Sequence, residues 1–263
     1  MKAPDPLFIA YWLGYANQKM IIETLPEGID VINLFSLSLD VEKTLQNLYL
    51  TSNGMSWENI LSGVRVQQQR GVRVLTSIAS AVHPKISWNT IADPKNFAAS
   101  IYELVVNTWG LDGIDIDPEM GGDVPNDTFI KVVIELAKYF GPRSGTGKTM
   151  SYVTYQYYAD EQLLKRCNAC FDYVSLAGYL WDVETMIHQF GLYAGLVGVK
   201  KLLIGVQPGH HQPNSLTDAI QLSQWQPDNG LKGGMMLFNI NIDQDFHYTR
   251  QLIEALKLTV QRN

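Results

Sequence analysis

The stretch of this chain with the clearest capacity for chemistry is residues 111–119, which read Leu-Asp-Gly-Ile-Asp-Ile-Asp-Pro-Glu. The apolar residues predict a buried strand, and carboxylates buried without partners are costly. Because strand side chains alternate between faces, Asp115, Asp117 and Glu119 share one face, about 6.5–7 Å from one to the next. Carboxylates this close cannot all ionise freely, so one is pushed toward the protonated form that a general acid needs. Pro118 suits a strand end, which places Glu119 at the C-terminal mouth of the strand.

The alternative interpretation of this acidic run is a calcium loop or a surface acidic turn. Metal-binding loops require glycine, asparagine and flexible polar spacing between their ligands. The residues between the acids of this strand are isoleucines instead. The pattern therefore favours a catalytic strand and predicts no metal.

Short apolar runs recur along the chain and alternate with stretches of helical spacing. The runs that we predict as strands are 7–12, 28–37, 72–78, the acidic run, 149–155, 171–179, 201–206 and 234–240. The helices that we predict are 41–48, 57–69, 93–108, 126–140, 160–166, 183–197, 215–225 and 245–260. Such alternation indicates parallel β/α units, and about eight units close into a barrel. We therefore predict an α/β fold, a single (β/α)8 TIM barrel over residues 1–263, with an open doubly wound sheet as the alternative.

The four acids of the run fill the pattern Asp-x-x-Asp-x-Asp-x-Glu, which resembles the signature of glycoside hydrolase family 18, a family of chitinases and endo-β-N-acetylglucosaminidases. The resemblance implies that Glu119 protonates the leaving glycosidic oxygen, while the 2-acetamido group of the substrate attacks the anomeric carbon. It implies that Asp117 orients the acetamide and supports the oxazolinium charge. Asp115 would then share a proton or a hydrogen bond with Asp117. Asp112 lies on the other strand face, and the resemblance makes it a supporting residue.

Several aromatic residues next to predicted strand ends extend this resemblance. Tyr179 resembles the family tyrosine whose hydroxyl holds the acetamide, with a core tyrosine as the alternative. Tyr11 resembles the aromatic residue of strand 1 that borders the sugar site. Tyr155 and Trp181 are candidates for stacking on sugar rings, and each could equally cover the end of the barrel.

Strands 3 and 8 depart from the pattern of many chitinases. Strand 3 of the family often ends Ser-x-Gly-Gly, whereas residues 77–80 read Ser-Ile-Ala-Ser. Strand 8 of many chitinases ends in tryptophan, whereas this chain has Phe238 followed by Asn239. Both are predicted to bind substrate, and together with residues 136–148 they resemble the compact endo-β-N-acetylglucosaminidase branch.

The resemblance therefore implies a retaining glycosidase that cleaves a β-1,4 bond next to N-acetylglucosamine, on the chitobiose core of N-glycans. One alternative is a chitinase that acts on chitin or chito-oligosaccharides. Another is a non-catalytic lectin, although family lectins usually lack the terminal glutamate. A barrel enzyme of unrelated chemistry is disfavoured, because no glycine-rich phosphate-binding pattern follows strand 7.

The amino-acid composition limits the kinds of partner that we expect this protein to bind. A net charge of −6 and a pI near 5.3 give no electrostatic footprint for nucleic acid. No apolar run reaches transmembrane length, and residues 1–12 lack the pattern of a signal peptide. We expect a monomer that binds an N-acetylglucosamine-containing glycan or chitin oligosaccharide, without cofactor, nucleic acid or membrane. The expected location is the cytoplasm, or outside the cell with a leader removed.

One pair of cysteines and one pair of histidines were also considered for redox or metal-binding roles. Cys167 and Cys170 end a predicted helix, whereas a redox pair normally begins one, so we interpret them as structural thiols. His210 and His211 follow strand 7, and a metal role would need a third ligand. We interpret them as loop residues near the sugar cleft.

Overall fold

The computed structural model describes residues 6–16, 19–39, 50–79, 87–118, 124–154, 156–209 and 215–262. The predicted helix 41–48 lies outside these ranges, as do the predicted site residues Glu119 and Tyr155 and the pair His210 and His211.

Parallel strands close into a barrel in chain order, with β1 paired to β8. The strands are β1 Leu7–Leu13, β2 Val31–Ser38, β3 Arg73–Ala79, β4 Gly113–Asp117, β5 Thr149–Thr154, β6 Tyr173–Leu176, β7 Leu202–Val206 and β8 Gly234–Leu237. Closure through β1 and β8 confirms the predicted (β/α)8 barrel. It also rules out the open doubly wound sheet, whose edge strands stay unpaired.

Helices follow the strands on the outside of the barrel. The α-helices are α1 Trp57–Gln69, α2 Pro94–Tyr102, α3 Asp127–Leu136, α4 Tyr157–Cys167, α5 Val183–Val197, α6 Leu216–Gln224 and α7 His247–Arg262. The helix predicted to end near residue 108 continues from α2 as a π-helical segment, Glu103–Thr108. Within the ranges that the structure describes, no helix is both long enough and apolar enough to cross a membrane.

Local sequence accounts for where α1 begins and ends. The hydroxyl of Ser56 accepts a hydrogen bond from the backbone N–H of Asn59, which satisfies one of the free donors at the helix start. Gly71, with φ at +86°, follows the helix and permits the left-handed turn into β3.

Two strands, β6 and β8, each end three residues earlier than predicted. β6 ends at Leu176, because the backbone turns and the N–H of Gly178 donates to the carbonyl of Leu176. β8 ends at Leu237, because Asn239 adopts a left-handed conformation with φ at 60° and a 3-10 turn follows. Residues expected at the last positions of these strands therefore lie in the turns beyond them.

The strands separate two apolar clusters. The outer cluster, between strands and helices, contains Ile114 and Ile116 of β4. The smaller inner cluster fills the barrel and contains Tyr11, Ala79 and Val153. Strand alternation therefore directs Asp115 and Asp117 to the inside, as the sequence predicts.

The two cysteines lie at the end of α4, in the outer cluster. Both are buried and neither forms a disulfide. Buried thiols in apolar surroundings behave as small hydrophobic groups.

Candidate active site

Asp115 is the centre of a hydrogen-bonded group inside the barrel, where its side chain is fully buried. Its Oδ2 accepts hydrogen bonds from the hydroxyls of Tyr11 at 2.6 Å and Ser77 at 2.9 Å. Its Oδ1 accepts one from the hydroxyl of Ser151 at 2.6 Å. Ser77 and Ser151 are its direct partners on the flanking strands β3 and β5, so the strand register itself delivers two of the three donors.

Burial and hydrogen bonding act in opposite directions on Asp115. Burial raises the pKa of its carboxyl, and the bonds from Ser151, Tyr11 and Ser77 lower it without cancelling the rise. Burial also raises the pKa of the Tyr11 phenol well above its usual value, and the charges of Asp115 and Asp117 raise it further. The Tyr11 phenol is therefore held protonated as a donor to Asp115 at neutral pH.

Asp117 is the last residue of β4 and is also buried, with 5% of its surface exposed. Its charge raises the pKa of three tyrosines, Tyr11, Tyr15 and Tyr152, although burial is the larger cause in each. The charge of Asp117 therefore acts on phenols both inside the barrel and behind β5. Glu119, two residues further on, lies outside the described residues.

An aromatic wall, which we define as Tyr11, Phe35, Tyr179 and Phe238, lines this end of the barrel. Phe238 stacks on Tyr179 with ring centroids 5.2 Å apart and planes 18° apart. It also packs against Tyr11 at 5.8 Å and Phe35 at 5.6 Å. The wall joins three residues that the sequence predicts for the site, Tyr11, Tyr179 and Phe238.

Tyr179 belongs to the inner side of the barrel, although it follows the end of β6. Its ring packs against the inner cluster, and its hydroxyl donates to the sulfur of Met236 at 3.6 Å. A thioether is a weak acceptor. The hydroxyl is thus oriented inward, and a role in holding the acetamide stays a prediction.

Two aromatic residues of this end were missed at the sequence level. Phe35 contributes to the wall from β2, and Tyr15 packs edge-on against it at 6.1 Å. Tyr15 is 41% exposed, and burial together with the charge of Asp117 raises the pKa of its phenol. The available signal was its position just beyond β1, which is the catalytic end of the barrel.

Asn239 and Trp181 differ in their surroundings. The side-chain Oδ1 of Asn239 is buried and has no hydrogen-bond partner among the described residues. Trp181 packs in the outer cluster, over Gly178 and Met186, rather than with the wall. Asn239 therefore lies in the turn after β8 with a buried side-chain oxygen, whereas Trp181 covers the strand–helix layer. Substrate contact by either residue stays a prediction.

Asp112 lies at the opposite, N-terminal end of β4. Its Oδ2 accepts hydrogen bonds from the side chain of Gln68 at 2.8 Å and the backbone N–H of Val74 at 3.0 Å. The ammonium of Lys148 lies 3.7 Å from its Oδ1. Asp112 thus ties α1, β3 and the start of β5 to β4, away from the inner carboxylates.

The arrangement suits acid–base and electrostatic chemistry at the carboxyl end of β4. Among the residues that the structure describes, no group of three or more His, Cys, Asp or Glu side chains is placed to hold a metal ion. A buried carboxylate, a second carboxylate at the strand end and an aromatic wall are features that a sugar ring requires for orientation and charge stabilisation.

The closed barrel and the carboxylates inside β4 define the class of molecule, a barrel of the glycoside hydrolase family 18 type. The family model of the endo-beta-N-acetylglucosaminidase EndoS TIM-barrel domain matches residues 10–237. Since that match covers most of the chain, the protein belongs to this family, which confirms the prediction drawn from the acidic strand.

Individual proteins agree with this assignment. Endo-beta-N-acetylglucosaminidase F2 of Elizabethkingia meningoseptica is 33% identical over 162 residues, which are 56% of this chain and 48% of that protein. The chain therefore spans about half the length of this curated relative.

Solved structures share the fold. An endo-beta-N-acetylglucosaminidase from Cordyceps militaris in apo form superposes with a TM-score of 0.74 at 24% identity, over 97% of this chain and 92% of that one. Its mutant in complex with fucosyl-N-acetylglucosamine-Asn gives 0.72 at 22% over the same shares. A GH18 chitinase from Pseudoalteromonas aurantia gives 0.75 at 17%, over 95% of this chain and 100% of that one.

Proposed function

We propose that this protein is a retaining endo-β-N-acetylglucosaminidase that hydrolyses the β-1,4 bond of the chitobiose core of N-glycans. The observation that carries the proposal is the pair Asp115 and Asp117 on the inner face of β4, beside the aromatic wall. Such a face gives a buried negative charge next to apolar surface at the carboxyl end of the barrel. This is where barrel enzymes bind their substrates.

In the proposed first step, Glu119 donates a proton to the glycosidic oxygen as the bond from that oxygen to the anomeric carbon breaks. The acetamide oxygen of the same sugar forms the new bond to the anomeric carbon, which gives a cyclic oxazolinium ion. Water then adds to the anomeric carbon, opens the ring and returns a proton to Glu119. Two displacements at one carbon retain its configuration.

Asp117 is proposed to accept a hydrogen bond from the acetamide N–H and to stabilise the positive charge of the ring. Asp115 already accepts three hydroxyl donors and lies deeper in the barrel. Its proposed role is to hold negative charge beneath Asp117, with Tyr11 fixing its orientation. A preorganised charge of this kind stabilises the transition state without rearrangement during the reaction.

The choice of N-glycan over chitin is supported by the family model and by the Elizabethkingia relative, both of which carry the endo-β-N-acetylglucosaminidase name. Phe238 and the turn residue Asn239 also differ from the tryptophan that resemblance associates with chitinases. The proposed partner is therefore a glycan attached to asparagine, and the protein is proposed to act as a monomer.

The mechanism is tested with two versions of one substrate, bearing an acetamide or a hydroxyl at the carbon next to the anomeric carbon. We expect turnover of the acetamido version alone, because only that group can form the cyclic intermediate. A thiazoline mimic of the intermediate should inhibit by resembling the high-energy species. Comparable rates on both substrates would mean that Asp117 attacks the sugar directly.

The substrate class is tested by comparing a high-mannose glycoprotein with a chitin oligomer at equal concentration. We expect release of the glycan from the glycoprotein at the higher rate. Faster cleavage of chitin would assign the protein to the chitinases instead. Binding of either glycan with no turnover would assign it to the lectins.

A further inference from the structure

A buried carboxylate outside the candidate active site, Asp160 of α4, lies behind β5 and is used by no step of the proposed reaction. Only 4% of its surface is exposed. The hydroxyl of Tyr152 donates to its Oδ1 at 2.5 Å, and the hydroxyl of Thr154 donates to its Oδ2. The backbone N–H of Gln156 also bonds to this carboxylate. We call these residues, together with Tyr193, the Asp160 cluster.

Tyr193 brings α5 into the cluster. Its hydroxyl lies 2.8 Å from the hydroxyl oxygen of Thr154. Thr154 has a single hydroxyl hydrogen, which it gives to Asp160, so Tyr193 acts as the donor in this contact. The carboxylate is thereby surrounded by donors from β5, from the turn after β5 and, through Thr154, from α5.

The bonded positions have a regular spacing along the chain. Tyr152, Thr154 and Gln156 alternate with residues 151, 153 and 155, and Ser151 and Val153 belong to the inner side of the barrel. Asp160 therefore binds the outer side of the C-terminal end of β5. The inner side of the same strand faces Asp115. By chain position, the predicted substrate-binding residue Tyr155 falls between the last two bonded residues.

We propose that Asp160 is a positioning residue, whose carboxylate fixes the C-terminal end of β5 against α4 and α5. For its effect on catalysis, the inference rests on the proposed function. The geometric part does not depend on that function.

Every described contact of Asp160 uses the carboxylate as an acceptor, so one side chain holds the donors from β5 and from the turn after it. Burial raises the pKa of Asp160 to about 6, despite the bonds from Thr154 and Tyr152 that lower it. The closed cluster therefore binds the proton more tightly than a cluster opened to water. We expect the end of β5 to open more easily as pH rises through about 6.

The titratable groups that face Asp160 keep their protons in this range. Burial and the charge of Asp160 raise the pKa of Tyr152 from β5 and of Tyr193 from α5. Tyr157 of α4 packs on Tyr193 at 5.3 Å, and the charge of Asp117 of β4 adds to the rise in the pKa of Tyr152. Tyr152 thus responds to the charges of both Asp160 and Asp117, which links the cluster electrostatically to the candidate active site.

The first test measures hydrogen–deuterium exchange over residues 150–158 between pH 5 and pH 7, corrected for the intrinsic pH dependence of exchange. In the wild type we expect exchange to be a few-fold faster at pH 7, because the closed cluster binds the proton more tightly than the opened one. Asp160→Asn keeps the side-chain size, but it has one acceptor oxygen instead of two and cannot ionise, so its exchange should be faster than that of the wild type and should not vary with pH. Asp127→Asn removes an exposed carboxylate and should match the wild type. Equal exchange in the wild type and Asp160→Asn would overturn the proposal.

Tyr193→Phe and Tyr152→Phe give the same test if Asp160→Asn does not fold. Each removes one hydroxyl and keeps the ring, so we expect about three- to tenfold faster exchange over the same residues at pH 7. Wild-type exchange in both variants would overturn the proposal.

The second test measures KM and kcat on a glycopeptide at pH 7. We expect Asp160→Asn to raise KM about tenfold with a smaller change in kcat, because misplaced binding groups weaken substrate orientation. An unchanged KM would overturn the catalytic part. A wild type without turnover would instead contradict the proposed function and leave the exchange test valid.

Discussion

Asp115 and Asp160 are buried carboxylates on opposite sides of β5, and they differ in where their donors come from. Asp115 binds hydroxyls from β1, β3 and β5, which are 104, 38 and 36 residues away in the chain. Asp160 binds hydroxyls of Tyr152 and Thr154, only 8 and 6 residues away. The first group exists only when the barrel is closed, whereas the second ties one strand to the helix that follows it.

The contrast separates two uses of a buried acid. Inside the barrel the carboxylates face the space in which a substrate would react, so changes there should alter chemistry. Behind β5 the carboxylate faces helices, so changes there should alter geometry and its dependence on pH. Substitutions of equal size on the two sides of the sheet can therefore test whether the inner carboxylates act on the reaction and the outer carboxylate acts on the geometry.

The largest effect is expected from Glu119→Gln. The sequence pattern predicts Glu119 on the same face as Asp115, and an amide cannot deliver a proton to the leaving oxygen. We expect kcat to fall by a factor of about 10²–10⁴ while glycan binding is retained. The measurement is turnover on a glycopeptide together with binding by calorimetry. Turnover within a few-fold of the wild type would remove Glu119 from the acid role.

Asp117→Asn should come next and should depend on the substrate. An amide does not stabilise the oxazolinium charge as a carboxylate does, so we expect kcat to fall about 10²–10³-fold on the natural substrate. The loss should be smaller with a preformed oxazoline, because the cyclisation step is then already complete. Equal losses on both substrates would contradict the assigned role of Asp117.

A matched pair of tyrosine substitutions compares the two sides directly. Tyr11→Phe removes a donor from Asp115, and Tyr152→Phe removes one from Asp160. Each variant should lose about 1–3 kcal/mol of unfolding free energy, since each leaves a buried carboxylate short of a partner. We expect kcat to fall about tenfold or more in Tyr11→Phe and only a few-fold in Tyr152→Phe.

Chemical denaturation and steady-state kinetics on the two variants provide the measurement. Tyr15→Phe serves as the control, because it removes a half-exposed phenol at the same end of the barrel. A larger loss of kcat in Tyr152→Phe than in Tyr11→Phe would reverse the comparison between the two carboxylates.

The inner side of this comparison could be predicted from the sequence, because it depends on strand periodicity. The alternation in β4 predicts which acids point inward, and the spacing of apolar runs predicts the barrel. Both patterns are local properties that tertiary packing did not override. The residues at which β6 and β8 end were harder to predict from the sequence. The turns at Gly178 and Asn239 depend on backbone conformations that the apolar character of the residues does not reveal.

The outer side could not be predicted in the same way. Tyr152 and Thr154 have the residue types of an ordinary strand, and Asp160 has that of an ordinary surface helix. Only the packing of α4 and α5 on β5 brings their hydroxyls to one carboxylate. The position of Trp181 in the outer cluster could not be predicted for the same reason, because it depends on how the turn after β6 folds back.

The smallest expected effect is a pH-dependent difference in stability between the wild type and Asp160→Asn. The folded-state pKa of Asp160 is about 6, above the ordinary value of 3.8, so the folded protein binds this proton more tightly than the unfolded chain. Stability from this group is therefore fully present below pH 3.8 and is lost as pH rises through about 6. Other groups titrate in both proteins and largely cancel in the difference.

Thermal unfolding of the two proteins at a series of pH values from 4 to 7.5 provides the measurement. We expect the Tm of the wild type to fall by a few degrees relative to that of Asp160→Asn between pH 4 and pH 6.5, and the difference then to stay constant. Asp127→Asn provides the control, because the Arg166 guanidinium holds the pKa of Asp127 below its usual value in the folded protein, so its contribution to stability is already present across most of this pH range. A Tm difference between the wild type and Asp160→Asn that does not vary with pH would mean that Asp160 titrates as an exposed acid. The Asp160 cluster would then lack the proton-dependent step that distinguishes it from the hydroxyls around Asp115.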